Sequence, residues 1–324
     1  MKRREFISLL GGAATAWPIA ARAQQQRTGT IPRLGFLLNV QSELVVALFD
    51  GLRDAGYIDR QNMVIETRFA GEMLDRIGEF ANELVALNCD VIFAAGPYAI
   101  QALVRATSTI PIVGIDLESD PVANGWAKSI ARPGGNLTGF FLDLPELGGK
   151  HIELLKEAVP TLSRLALLWD STVGLVQFRA TEAAALTAGV APLSLQVQRQ
   201  NDFKGAFDRA ASERAHAVVV LSSPLIFGQR SQISDLALKN RLPTISLFTL
   251  FPRSGGLMAY GPNFPEMWKR AATYIDRILK GTEAGALPIE RPSKFELVVN
   301  LKTAKALGLD VPWFLQQRAD EVIE

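Results

Sequence analysis

DLESDPVANGWAKSIARPGGNLTGFFLDLPELGGKHIELLKE, residues 116–157, decides how the rest of the chain is read. It follows a β-branched run at 111–115, passes a turn-rich segment, forms a short strand at 136–141 and enters an amphipathic helix at 146–159. The segments on either side repeat one strand-helix pattern. The spacing therefore predicts that the chain crosses here from one lobe to another.

Before the crossing, strands are expected at 33–38, 63–69, 91–95 and 111–115, and helices at 43–55, 74–87 and 98–107. Beyond it the pattern restarts, with strands at 164–169, 193–197, 217–221 and 244–248 and helices at 175–188, 203–214 and 229–240. Apolar strands separated by helices of this length imply right-handed crossovers and parallel sheets covered on both faces. The expected fold class is α/β: two doubly wound, Rossmann-like lobes joined by a multi-strand hinge, with a ligand cleft between them. The tail is mixed, with strands at 257–260 and 295–300, a long helix at 265–279, a Pro-rich turn at 287–292 and a helix at 301–307. A long helix between two short strands suggests a return to the first lobe and a second departure. The expected boundaries are 24–142 plus 260–286 for the N-terminal lobe and 143–259 plus 287–324 for the C-terminal lobe.

Residues 1–23, MKRREFISLLGGAATAWPIAARA, have the pattern of a cleaved export leader. A charged start precedes the apolar run 6–20, and Ala21-Arg22-Ala23 supplies a small-x-small cleavage site before Gln24. Arg3-Arg4 followed by Glu5-Phe6-Ile7 resembles the twin-arginine signal; an ordinary Sec leader with two adjacent arginines is the alternative. The run is too short and too rich in Gly and Ala for a membrane span. No cysteine lies near the cleavage site, so no lipid anchor is expected. The leader holds four of the 34 basic residues and one of the 33 acidic ones, so without it the charge is slightly negative. Nothing in that balance attracts nucleic acid or an anionic membrane.

In open α/β sheets a ligand sits outside the carboxyl ends of the strands. The cleft is therefore expected to be lined by Asn39 to Ser42, with Gln41 and Ser42 as ligand-binding candidates, and by Gly96, Tyr98 and Asp116 in the first lobe. In the second lobe the candidates are Trp169, Asp170, Ser222, Ser223 and Phe248. The aromatics suit stacking on a planar or apolar solute, and the serines suit hydrogen bonds to a carboxylate. Trp169 reads equally as core, Asp170 as the cap of the following helix, and the serines as turn residues.

Catalytic and metal signals are absent. Cys89 is the single cysteine and reads as a structural thiol; His151 and His216 lie far apart in sequence. Residues 132–136, Arg-Pro-Gly-Gly-Asn, precede a strand, whereas a phosphate loop follows one and opens a helix. No cofactor and no metal is implied.

The stretches DPVANGWAKSIARPGGNLTG, RLPTISLF, GGLMAYG, YIDRILKG, KFELVVNLKTAKALGL and RADEVIE closely resemble ABC-transporter substrate-binding proteins of periplasmic-binding-protein type 1 fold. More narrowly they are similar to the branch that includes tryptophan- and tyrosine-type receptors. The resemblance runs from about residue 32 to residue 324. It implies a bilobed periplasmic receptor, usually monomeric, that captures a small solute such as an amino acid. That receptor would deliver the solute to a membrane permease driven by a cytoplasmic ATPase. One departure is the loop after the first strand of the second lobe: relatives often carry an Asn-Pro type sequence, and this chain has Trp-Asp-Ser-Thr-Val-Gly at 169–174. Asp170 there would repel a ligand carboxylate and attract an ammonium. An exported enzyme using the same cleft is the alternative function. A sugar-repressor-like regulator would need a helix-turn-helix where this chain has its leader.

Overall fold

The computed structural model describes residues 31–39, 42–71, 74–142 and 145–324; the leader and Gln41 lie outside the described residues. The chain from residue 32 onward forms a single compact unit built on two sheets.

The first sheet contains β1 (Arg33–Leu38), β2 (Val64–Phe69), β3 (Val91–Ala95), β4 (Ile112–Asp116) and β5 (Leu137–Phe141), in the order β2-β1-β3-β4-β5, all parallel. Its inner strands β3 and β4 are buried along almost their whole length because both faces are covered. On one face lie α2 (Ile77–Ala86) and α3 (Pro97–Ala106), over Leu37, Ile92, Ala94 and Leu137. On the other lie α1 (Val45–Asp54) and a helix from far downstream, over Phe36, Phe93 and Val113.

The second sheet takes α4 (Pro145–Ala158), β6 (Arg164–Asp170), α5 (Leu175–Thr187), β7 (Ala191–Val197), α6 (Asp202–Ser212), β8 (Ala217–Val220), α7 (Pro224–Gly228), α8 (Arg230–Lys239), β9 (Thr244–Ser246) and β10 (Met258–Pro262). The chain then forms α9 (Phe264–Leu279) and returns through β11 (Phe295–Asn300), α10 (Leu301–Leu307), α11 (Trp313–Arg318) and β12 (Glu321–Ile323). The strand order is β12-β11-β10-β9-β8-β6-β7, and β11 runs antiparallel to β10. Along β6 the alternation is clean: Leu165, Leu167 and Trp169 join the core under α4 and α5, while Ala166 and Leu168 face α6 and α8.

α9 is the downstream helix that covers the first sheet. Phe264, Met267, Trp268, Ala271, Ala272, Ile275 and Ile278 recur at three- and four-residue spacing and are all buried. Asn263 caps it, accepting from the Glu266 amide at 2.8 Å. Trp268 packs on Phe93 at 5.2 Å between ring centroids. Likewise Asn300 caps α10 and Gly308 closes it in the left-handed region, which is the physical content of the KFELVVNLKTAKALGL stretch.

The chain thus passes between the sheets three times: between β5 and α4, between β10 and α9, and between Ala286 and β11. The third passage is stitched to the first sheet. Glu290 donates its amide to the Gly139 carbonyl and accepts from the Phe141 amide, while Thr138 donates its hydroxyl to the Leu287 carbonyl. β10 pairs through Pro262 with the second sheet, so we propose lobe boundaries that follow the sheets. On this division 263–287 belong to the first lobe, and Tyr260 to Pro262 belong to the second rather than to the first.

Burial shifts two titratable groups of the cores. Burial pushes the Cys89 thiol up to about 11, and burial lowers His151 to about 4, so its neutral ring donates to the Tyr260 carbonyl at 2.7 Å.

Gly139 lies opposite Gly114 with φ of 133°, and a Cβ there would sit 2.0 Å from the Gly114 carbonyl oxygen. Gly139→Ala should therefore destabilise the protein by about 2 kcal/mol or more in urea unfolding. A loss below about 0.5 kcal/mol would show that the hinge strand relaxes freely.

Candidate functional site

Parallel strands end on a common edge, and the edges of the two sheets face each other. Between them lies a cavity with about 560 Å³ of empty space counted out to its mouth. The first lobe supplies Asn39 and Ser42 after β1, Gly96 after β3, and Leu117 and Glu118 after β4. Phe264 and Trp268 of α9 complete that side. The second lobe supplies Ser223 after β8, Pro224 and Phe227 of α7, and Phe248 after β9. Phe227, Phe248 and Phe264 form a chain of ring contacts at 4.8 and 5.7 Å, so aromatic surface joins the two sides.

Polar groups are few and specific. Asn39 is buried, and its Oδ1 accepts from the Ala99 amide at 3.0 Å; its Nδ2 has no partner in the protein. A buried amide hydrogen left unpaired costs about 1–3 kcal/mol, so it marks where an acceptor belongs. Ser223 caps α7 by accepting from the Ile226 amide at 3.1 Å. Asp116 is fully buried behind this wall: its Oδ1 accepts from the Glu118 amide at 3.0 Å and its Oδ2 is unpartnered. Glu118 reaches across the cleft and accepts the hydroxyl of Ser222. The Gln177 side chain holds Ser222 from behind by exchanging hydrogen bonds with its amide and carbonyl, both at 2.8 Å.

Burial raises the pKa of Glu118 well above the usual glutamate range, and the neighbouring charge of Asp116 raises it further. Burial also raises Asp116, against hydrogen bonds from Ser119 and the Glu118 backbone that oppose the shift. Both shifts favour the protonated form of the pair.

A second cross-cleft link lies beside the cavity. The Tyr98 and Thr172 hydroxyls are hydrogen-bonded, and Thr172 in turn donates its amide and hydroxyl to Asp170 Oδ1. A third is the ion pair of Arg230 with both Glu43 oxygens, at 2.9 and 3.2 Å. Exposed pairs of this kind contribute at most about 1 kcal/mol, so the buried contacts dominate closure. Next to the cavity and sharing Leu117 and Glu118 is a second chamber of about 680 Å³, walled also by Ser119, Asp120, Gln177 and Arg291.

Of the residues expected from sequence, Ser42, Gly96, Ser223 and Phe248 stand in the cavity wall. Asp116 and Ser222 stand immediately behind it, both in contact with Glu118. Tyr98 and Asp170 meet through Thr172 at the side, and Asp170 takes the turn-capping role. Trp169 is placed elsewhere: it stacks on Phe178 at 4.5 Å and donates to Ser194 in the core under α5. Its position on β6 dictates this, because the residues on that face, Leu165 and Leu167, are core too. Glu118 was missed, although it lies two residues after a strand-end aspartate. Phe264 and Trp268 were also missed, because they reach the cavity from a helix rather than from a strand end. Among the described residues no group of three or more His, Cys, Asp or Glu is placed to hold a metal ion, and no helix is long and apolar enough to cross a membrane.

The family model described as "ABC transporter substrate binding protein" matches residues 41–323. A tyrosine-binding protein of Clostridioides difficile (strain R20291) is 24% identical over 262 residues, 80% of this chain and 74% of that protein. A conserved domain protein from Vibrio cholerae superposes with a TM-score of 0.84 at 24% identity, covering 90% of this chain and 100% of the other. An ABC domain in complex with L-Trp from Streptococcus pneumoniae gives a TM-score of 0.82 at 22% identity, covering 91% and 100%. These likenesses establish the fold.

A carboxyl whose folded pKa is raised binds its proton more tightly in the folded state than in the unfolded one. Stability is then fully present below the ordinary carboxylate range and is lost as pH rises through the folded value. The empty protein should therefore lose melting temperature as pH is raised from about 4.5, and Glu118→Gln should flatten that decline. Parallel curves for the two proteins would show that the pair holds no extra proton.

Proposed function

Because the chain belongs to the ABC transporter substrate-binding protein family, we propose that it is the exported solute receptor of an importer. It takes up a small solute, an amino acid or a related organic molecule with an apolar or aromatic body, in the cleft between its lobes. It then delivers the solute to a membrane permease powered by a cytoplasmic ATPase. The supporting observation is a cavity walled by both lobes, with aromatic surface on each side and an unpartnered Asn39 amide among its polar groups. A solute touching Phe248 and Phe264 together contacts both lobes. It has affinity for the closed form that the open form lacks, which is what shifts the equilibrium. The tyrosine-binding relative and the tryptophan-bound structural neighbour agree with an aromatic amino acid as the solute.

The leader pattern of residues 1–23 supports export to the periplasm by the twin-arginine route. R3K/R4K replacement should hold the precursor in the cytoplasm, and the exported form should begin at Gln24 by mass spectrometry. Unimpeded export of the variant would assign the Sec route instead.

A thermal-shift panel of amino acids, aromatic acids, aromatic amines and sugars, followed by calorimetry, tests the receptor reading. A ligand at a hundred times its Kd adds about 2.7 kcal/mol to stability. The bound solute should be recovered unchanged, and Phe248→Ala should weaken binding by roughly tenfold to a hundredfold, as loss of a buried aromatic contact of about 1.5–3 kcal/mol implies. Consumption of the solute, or full affinity in that variant, would overturn the reading.

A further inference from the structure

Among the described residues that line the cavity none is Lys, Arg or His, and Glu118 is the single ionisable side chain. Behind it Asp116 is fully buried with Oδ2 unpartnered, so this wall holds an acceptor that the protein leaves without a donor. Across the cavity the buried Asn39 Nδ2 is a donor without an acceptor. A solute with no cationic group would leave the carboxyl pair uncompensated, and one carrying only a carboxylate would meet repulsion from it. Building on the receptor reading above, we propose that the cleft takes its solute by a positively charged amine: an ammonium group docks against Glu118, and the Asp116 and Glu118 pair releases one proton to the solvent as it does so.

The charges balance. In the empty cleft the two carboxyls share one proton and carry a single negative charge. In the complex both are ionised, the ammonium contributes one positive charge, and the site is again singly negative. One proton leaves for the buffer. The raised pKa values of both carboxyls fit a pair that is protonated when empty. The groups around Glu118 are Asp116, Ser119 and Asp120 from its own loop, Tyr98 of α3, and Asp170 through Thr172. Gln177 of α5, Ser222 after β8, and Arg291 in the wall of the second chamber complete the set. Asp116 is the neighbour whose charge acts on Glu118, and no cation acts on it comparably. A ligand carboxylate, by contrast, would meet the Asn39 amide and the Ser42 and Ser223 hydroxyls, all uncharged. The amine should therefore contribute more to affinity than the carboxylate.

The test is calorimetry of the mature protein with L-tryptophan, L-tyrosine, tryptamine, tyramine and indole-3-propionate, each in phosphate and in Tris at one pH. The dependence of apparent enthalpy on buffer ionisation enthalpy counts the protons exchanged. Expected are close to one proton released with each amine-bearing ligand, affinity that climbs with pH, and at least a hundredfold weaker binding of indole-3-propionate than of L-tryptophan. Glu118→Gln should abolish the buffer dependence, and Asp116→Asn should reduce it. An amine-bearing ligand that binds with no proton released would overturn the proposal while leaving the receptor reading intact. So would indole-3-propionate binding as tightly as L-tryptophan. Absence of binding by all five would overturn the proposal, and absence of any hit in the wider panel as well would overturn both.

Discussion

The first sheet cannot be closed by the first half of the chain. One of its faces carries Phe36, Phe93 and Val113, and α1 covers only part of it. The rest is covered by α9, which approaches α1 so closely that a Cβ on Gly51 would lie 2.6 Å from the Lys269 carbonyl oxygen. A parallel sheet is stable only when both faces are buried. Residues some two hundred positions apart must therefore meet before the N-terminal lobe has a core. The chain is obliged to leave that lobe, build another, and come back. The cleft, the repeated passages between sheets and the stitching of Glu290 beside β5 all follow from that obligation.

The same topology explains why the cleft is mostly apolar yet holds a few uncompensated polar atoms. Strand interiors are buried on both sides and tolerate no charge, so side chains that recognise a solute are confined to the residues where strands end. Two carboxyls at one such end are costly. Taking a single carboxylate out of water costs several kcal/mol, and two charges about 4 Å apart repel by about 4 kcal/mol even in a moderately polar medium. The hydrogen bonds from the Glu118 amide and the Ser222 hydroxyl contribute about 1.5–3 kcal/mol each at most and cannot offset both costs. Holding a proton is the cheaper solution for an empty site.

Most of the framework was legible because it is written in local pattern. Unbroken apolar runs such as Val91–Ala95 identify doubly covered strands, and three- and four-residue spacing identifies α9. The positions after β1, β3, β8 and β9 were legible for the same reason, since topology alone sends strand ends to the cleft. What escaped was tertiary. The antiparallel direction of β11 leaves no mark in its composition, and the short α7, α11 and β12 carry too few residues to show a period. Trp169 looked like a cleft aromatic until its face of β6 was fixed by Leu165 and Leu167. Glu118 carried no signal of its own, because the group that gives it meaning, Ser222, is 104 positions away.

Three covalent passages between two lobes have a mechanical consequence. A single tether would permit bending and twisting in any direction, and two would still permit swivelling about the line that joins them. Three passages, one of them hydrogen-bonded along β5, suppress twist and leave a single soft coordinate. A single angle is then enough to describe how far the cleft stands open.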